Sequence, residues 1–236
     1  MNTLSIDTSN QIMGVAIVKD NEIIGDITTR LAKNQTSRLM PAIEYLMGTL
    51  DMSPNELDQI VVARGPGSFT GVRIGLTTAK TMAWSLDIPV IDVSSLEALA
   101  YQAYFYQGYI CPFFDARRGN VYTAVYRKKD NQLETVYEEE NLSMETWLDK
   151  ISELDENIVF LSPNLTIFKQ LIIDKLGGQA IIPEGPFHTI RPSHLVQAAV
   201  NKEPSNLHTL TPNYLRLAEA ETKWLNAQKD NNENDS

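Results

Sequence analysis

A glycine-rich stretch, residues 65–75 with the sequence GPGSFTGVRIG, holds the first residues that could do chemistry. An apolar run over residues 59–63 predicts a buried strand before it, and apolar residues three and four apart predict a helix after it, to about residue 86. Glycine lets another group approach the backbone closely, and the free amides at a helix start can bind an anion. The candidate phosphate-binding residues are therefore Gly65, Gly67, Ser68 and Thr70, with Ser68 or Thr70 as the helix cap.

The same stretch also suits a tight strand-to-helix turn that binds no ligand. Val72 stands where a Walker A loop would carry its lysine, and the three glycines at 65, 67 and 71 are spaced one residue too far apart for the dinucleotide fingerprint. Spacing alone therefore favours the tight turn and leaves the phosphate site as the alternative.

Two aspartates each end a predicted strand and are followed by a polar turn. Asp7, with Thr8 and Ser9, could hold a metal–phosphate group, because hard cations prefer oxygen ligands. A plain hairpin turn, in which the carboxylate bonds its own backbone, is favoured, since no second carboxylate stands beside Asp7. In the second turn the arginines are either solvated charge or an anion contact, and the candidates there are Asp115, Arg117, Arg118 and Gly119.

These stretches lie in a repeating order of predicted strands and helices. Each half of the chain opens with strand, aspartate, polar turn and strand, which indicates a weak internal duplication. Gly108 marks the boundary between an N-terminal lobe, residues 1–108, and a C-terminal lobe, residues 109–236. Helices are predicted over residues 37–50, 72–86, 95–106, 143–154, 164–176, 194–200 (capped by Ser193) and 214–228, with a frayed tail from about 229.

Bulk composition narrows the class of protein. A formal net charge of -10 argues against a chain that binds nucleic acid by itself, because such proteins usually carry a basic surface. The single cysteine, Cys111, excludes an internal disulfide and lies in an apolar run, where a buried inert thiol is expected. The first residues lack a signal-peptide pattern and no apolar run is long enough to span a membrane, so a cytoplasmic protein is expected.

Four segments of the chain resemble one known family, in the family's order and over nearly the whole length. They are residues 6–9 (IDTS), 65–75 (GPGSFTGVRIG), 115–122 (DARRGNVY) and 212–216 (PNYLR). The glycine-rich segment is similar, almost letter for letter, to the signature of the TsaB family of bacterial tRNA threonylcarbamoyladenosine biosynthesis proteins, also called YeaZ. Members of that family are catalytically inactive relatives of the TsaD subunit that they serve.

The resemblance implies a fold and the loss of a metal site. It implies the actin-like fold of sugar kinases and heat-shock ATPases (ASKHA), with two lobes that each hold a mixed sheet flanked by helices, and the duplicated hairpin fits it. In that fold the two hairpin turns grip the nucleotide phosphates. Active TsaD-type relatives carry two histidines four residues apart on a helix, where this chain has Ser95 and Leu99, so neither a metal nor a catalytic residue is expected.

The resemblance also implies partners. It implies a heterodimer with TsaD, a homodimer when the chain is alone, the ATPase TsaE reached through the complex, and only indirect contact with tRNA. ATP or ADP is expected only in the complex. An ATP-dependent small-molecule kinase of the same fold is the alternative function, motivated by the two aspartates and the glycine-rich stretch.

Two helices carry the features of a contact surface. Small residues recur every four positions in the helix after the glycine-rich stretch, which lets another helix approach closely, and methionines suit adaptable contacts. Packing inside the chain explains much of the same pattern, whereas the resemblance favours an interface. The predicted interface residues are Leu39, Met40, Ile43 and Met47 in the first helix and Gly71, Val72, Gly75, Ala79 and Met82 in the second.

Overall fold

The computed structural model describes residues 1–30 and 35–215. The first half contains β1 (Asn2–Asp7), β2 (Ile12–Lys19), β3 (Glu22–Arg30), α1 (Gln35–Thr49), β4 (Gln59–Ala63), α2 (Phe69–Leu86), β5 (Val90–Val93) and α3 (Ser95–Ala100). The second half contains β6 (Tyr109–Arg117), β7 (Asn120–Lys129), β8 (Gln132–Ser143), α4 (Met144–Ile151), β9 (Ile158–Leu161), α5 (Leu165–Leu176), β10 (Ala180–Ile181) and α6 (Pro192–Ala199).

Each half builds one five-stranded sheet, and the two sheets have the same topology. The strand orders are β3-β2-β1-β4-β5 and, read in the matching direction, β8-β7-β6-β9-β10. In both sheets the strands joined by short turns pair antiparallel, while those joined through a helix pair parallel, as the length of each connection requires. The duplication that the two hairpins indicated therefore extends over both halves of the fold.

Side-chain alternation along the strands divides the core into layers. On β4, Ile60 and Val62 face the layer made by α1 and α2, while Val61 and Ala63 face the interior between the two sheets. Residues of α3 and α6 fill that interior. Helices α4 and α5 cover the other face of the second sheet around the fully buried Trp147.

After β10 the chain returns to the first sheet. Pro192, at the start of α6, packs close to Gly14 on β2, and the hydroxyl of Ser193 donates to Asp26 on β3 at 3.0 Å. Further on, Ser205 N donates to the carbonyl of Val90 on β5 at 2.7 Å. The lobe boundary at residue 108 stays a prediction, and the predicted last helix and frayed tail lie outside the described residues, which end at Leu215.

Several element boundaries differ from the sequence prediction. The helix predicted to reach residue 106 ends at Ala100 and continues as a 3-10 turn over Tyr101–Ala103. Ser193 was predicted to cap the helix after it but lies inside α6, because Pro192 occupies the first turn, where no backbone donor is needed. No helix among residues 1–30 and 35–215 is long and apolar enough to cross a membrane.

Candidate functional site

The glycine-rich stretch packs directly on the first hairpin turn. Ser68 N donates to the carbonyl oxygen of Ser9 at 2.6 Å. A Cβ atom at Gly67 would overlap that carbonyl oxygen, and one at Gly71 would overlap the carbonyl oxygen of Thr8. Glycine is required at both positions because the approaching atoms belong to the backbone and cannot rotate away.

Polar groups at the start of α2 bond within this contact. The hydroxyl of Ser68 caps the helix by accepting from Gly71 N at 3.2 Å, so Ser68 is the cap and Thr70 is an exposed residue of the first turn. The hydroxyl of Thr8 donates to the carbonyl oxygen of Gly71 at 2.7 Å. Gly65 has a φ of +94° and its carbonyl accepts from Ser95 N at 2.9 Å. The geometry is that of a close-packed strand-to-helix turn, and phosphate binding there stays a prediction.

The two aspartates lie at or near the end of the first strand of each hairpin, Asp7 as the last residue of β1 and Asp115 two residues before the end of β6, and make the same local hydrogen bond. Asp7 Oδ1 accepts from Ser9 N at 2.8 Å, and Asp115 Oδ1 accepts from Arg117 N at 2.9 Å. This is the hairpin turn that the sequence favoured. Asp7 is buried, and burial raises the pKa of its carboxyl group while the bonds to Ser9 oppose the shift.

The second turn presents its basic side chains outward. Arg117, Arg118 and Gly119 all have φ between +57° and +78° and are exposed, and Arg118 engages in further interactions. The two arginines of this left-handed turn are therefore accessible to solvent. Whether these arginines contact an anion stays a prediction.

A polar network between the two halves was not singled out by sequence reasoning. Glu139 on β8 accepts hydrogen bonds from the hydroxyl of Ser94, at the end of β5, and from Asn213 Nδ2 at 2.7 Å. Arg64 pairs with Asp92 at 3.1 Å, and its carbonyl accepts from Asn213 N at 2.8 Å. Burial raises the pKa of Glu139, against the bond to Ser94 and the charge of Arg64. Glu139 stands in a run of three glutamates, a pattern typical of a solvated surface, and no sequence pattern marks it as part of a buried network.

The sequence resemblance matched two positions on α3 to a pair of metal-binding histidines. Ser95 and Leu99 are both fully buried, and Leu99 packs in the core between the sheets. Across residues 1–30 and 35–215 no group of three or more metal-ligating side chains comes together.

Most of the predicted interface residues are buried inside the chain. The exceptions are Met40, about half exposed, and Met82, which is partly exposed. Gly75 faces the hydroxyl of Thr8, where a Cβ atom would lie 2.6 Å away, so the small-residue stripe serves the contact between α2 and β1. Packing within the chain encloses the other predicted interface residues, and a role for them in an interface stays a prediction: Leu39, Ile43, Met47, Gly71, Val72, Gly75 and Ala79.

One family model and several proteins of known name match the sequence of this chain. The family model described as TsaD, tRNA N6-adenosine threonylcarbamoyltransferase, matches residues 22–224. The tRNA threonylcarbamoyladenosine biosynthesis protein TsaB of Bacillus subtilis (strain 168) is 47% identical over 97% of this chain and 100% of its own length. The chain belongs to the TsaB family. The TsaB protein of Escherichia coli (strain K12) is 33% identical over 56% of this chain and 57% of its own.

Solved structures show the same fold. YeaZ from Pseudomonas aeruginosa superposes with a TM-score of 0.73 at 22% identity, covering 91% of this chain and 99% of that one. A second structure, described as an uncharacterized protein with similarity to peptidase YEAZ from the same organism, gives a TM-score of 0.77 with equal coverage. The predicted ASKHA fold, with two mixed sheets flanked by helices, is thus confirmed, as is the resemblance to the TsaB family.

Proposed function

We propose that this chain is a non-catalytic subunit of the tRNA threonylcarbamoyladenosine machinery that binds and activates TsaD. In the proposed complex TsaD transfers threonylcarbamoyl from its adenylate to the adenosine beside the anticodon, and this chain holds TsaD in its active form. The family membership of the chain supports a place in this pathway, since a relative that matches 97% of the chain carries the biosynthesis name.

The observation that carries the proposal is a set of exposed apolar side chains on α1 and α2. Met40 and Tyr45 on α1 are 48% and 69% exposed, and Trp84 on α2 is 75% exposed. Large aromatic side chains such as Tyr and Trp are enriched among the residues that carry most of the binding energy at protein interfaces. These residues replace the buried stripe as the proposed contact surface for TsaD, or for a second copy when the chain is alone.

The contact surface is tested with single alanine variants and a matched control. Tyr45→Ala and Trp84→Ala should each weaken TsaD binding by about 2 kcal/mol, a factor of about 30, as expected of interface hot spots. Phe105 is equally exposed, at 69%, but lies in the segment between α3 and β6, so Phe105→Ala should bind TsaD like the wild type. If calorimetry gave the same affinity for TsaD for all three variants, α1 and α2 would not form the contact surface.

The proposed activation is tested by reconstitution. Modification of tRNA is assayed with TsaD, its remaining partners including TsaE, and this chain either present or omitted. The proposal requires that omission abolishes or strongly reduces modification. Full modification without this chain would refute it.

Nucleotide binding separates this proposal from a small-molecule kinase of the same fold. Asp7 and the amides of Ser9 and Ser68 already bond within the chain, which supports the proposal that ATP or ADP binds only in the complex. Titration of the isolated chain with ATP and magnesium should give no heat, whereas a kinase would bind ATP and release phosphate unaided. We place the complex in the cytoplasm, with tRNA contacting TsaD rather than this acidic chain.

A further inference from the structure

The segment after α6, residues 205–214, forms a strap over the first half of the molecule. At its start Ser205 N donates to the carbonyl of Val90 at 2.7 Å, and the Ser205 hydroxyl donates to Asp92. In its middle the carbonyl of Leu210 accepts from Lys80 Nζ at 2.9 Å. The strap therefore follows β5 and then α2 without belonging to either.

The end of the strap meets the second sheet and the start of α2. Asn213 N donates to the carbonyl of Arg64 at 2.8 Å, and Asn213 Nδ2 donates to Glu139 Oε2 at 2.7 Å. The hydroxyl of the next residue, Tyr214, accepts from Arg73 Nε at 2.6 Å, and its ring stacks on Phe69 with centroids 5.2 Å apart. The Arg73 guanidinium also lies 3.8 Å from the Phe69 ring centroid. Asn213, which bonds to Glu139, and Tyr214, which stacks on Phe69, are thus adjacent residues of the strap.

The other oxygen of Glu139 fixes the start of α3. The Ser94 hydroxyl donates to Glu139 Oε1 and accepts from Leu96 N at 3.1 Å and Glu97 N at 3.3 Å, as the cap of that helix. The Tyr126 hydroxyl lies 3.4 Å from the same oxygen. Because the hydroxyl of Ser94 accepts from the helix amides, its proton is directed to the carboxylate. Glu139 is therefore the junction at which the second sheet, α3 and the strap meet.

We propose that Glu139 is a positioning residue that latches the strap to the second sheet and so holds Tyr214 against Phe69 and Arg73. Without the carboxylate, Asn213 loses its side-chain partner and the strap is held at that end by one backbone bond and the Tyr214 contacts. The start of α2, where Phe69 is 44% exposed, then loses its fixed arrangement. The consequence for partner binding rests on the proposed function, since α2 carries part of the surface offered to TsaD.

Hydrogen exchange of the isolated chain tests the latch. Glu139→Ala and Asn213→Ala should each speed amide exchange in residues 205–214 by about tenfold or more, the factor expected for one lost charge-assisted hydrogen bond. Glu138→Ala, at an exposed neighbour on the same strand, should leave strap exchange unchanged. Exchange in β1 is the internal check that the fold persists.

A double variant separates a specific latch from general loosening. If Glu139 acts on the strap through Asn213, the double variant should exchange no faster than the faster single variant. The proposal would be overturned if the increase in strap exchange in the double variant equalled the product of the two single increases. It would also be overturned if strap exchange in Glu139→Ala equalled that in Glu138→Ala. Asn213→Ala leaves the Ser94 contact in place, so it decides the matter even if Glu139→Ala does not fold.

Binding to TsaD is then compared among the same variants. Glu139→Ala and Asn213→Ala should weaken binding by about 2- to 30-fold relative to Glu138→Ala, the range seen for residues that act on an interface from outside it. A loosened strap with unchanged affinity would refute the link from the latch to α2. Failure of the wild-type chain to bind TsaD would refute the proposed function instead, and the exchange result would stand independently.

Discussion

Replacing Gly71 with alanine measures how tightly α2 is fitted to the first hairpin turn. The new methyl group would overlap the carbonyl oxygen of Thr8, a backbone atom, so the helix and the turn must move apart. Overpacking of this kind costs about 3 kcal/mol at the upper end of its range. Separation also breaks the hydrogen bond from Thr8 to the Gly71 carbonyl, worth about 1 kcal/mol, while alanine returns about 1 kcal/mol of helix propensity. The expected net destabilisation is about 3 kcal/mol.

Thermal unfolding followed by circular dichroism detects this change. For a chain of this length, about 3 kcal/mol corresponds to a fall in Tm of about 6–12 °C. Gly48→Ala in α1 is the matched control, because nothing lies within 4 Å of its Cβ position and the change should stabilise the helix by up to about 1 kcal/mol. Gly75→Ala should fall between the two, since it meets the Thr8 hydroxyl rather than backbone. A Gly71→Ala protein that melts at or above the wild-type temperature would refute the argument.

Three further predictions concern buried titratable groups. Burial raises the pKa of the Asp7 carboxyl group, so the contribution of Asp7 to the free energy of unfolding falls as pH rises above 3.8. Asp7→Asn still accepts from Ser9 N, so its urea midpoint at neutral pH should equal or exceed that of the wild type. A lower midpoint would contradict this. Burial and the charge of Arg191 lower the pKa of His194 from 6.5 to about 4. The free energy of unfolding should therefore fall as pH drops from 6.5 to about 4. In urea titrations, His194→Gln should show a weaker dependence on pH over that interval. Burial raises the pKa of Cys111 to about 11, so a thiol reagent should modify it only after unfolding, and rapid modification of the native chain would count against this.

Local patterns were sufficient to predict most of the strands and the main helices. Alternating apolar residues and short polar turns predicted the hairpins at Asp7 and Asp115, because a strand's two-residue period and a turn's composition are properties of neighbouring residues. Ser68 or Thr70 was predicted as the helix cap for the same reason, and the structure decides for Ser68. The strand β8 was not predicted, because its glutamate-rich sequence lacks apolar alternation and its place in the sheet depends on pairing with β7.

The sequence by itself determined the fold class and family, because the motifs and the repeated order of elements are patterns of residues that are close together in the chain. Only the tertiary structure decided which elements each helix or strand surface packs against. The stripe of Gly71, Gly75 and Ala79 has the spacing of a contact face, but spacing does not say whether the neighbour belongs to the same chain, and here it is β1 and its turn. Glu139 meets Ser94 and Asn213 from positions 45 and 74 residues away, and contacts at such separations follow from packing rather than local pattern.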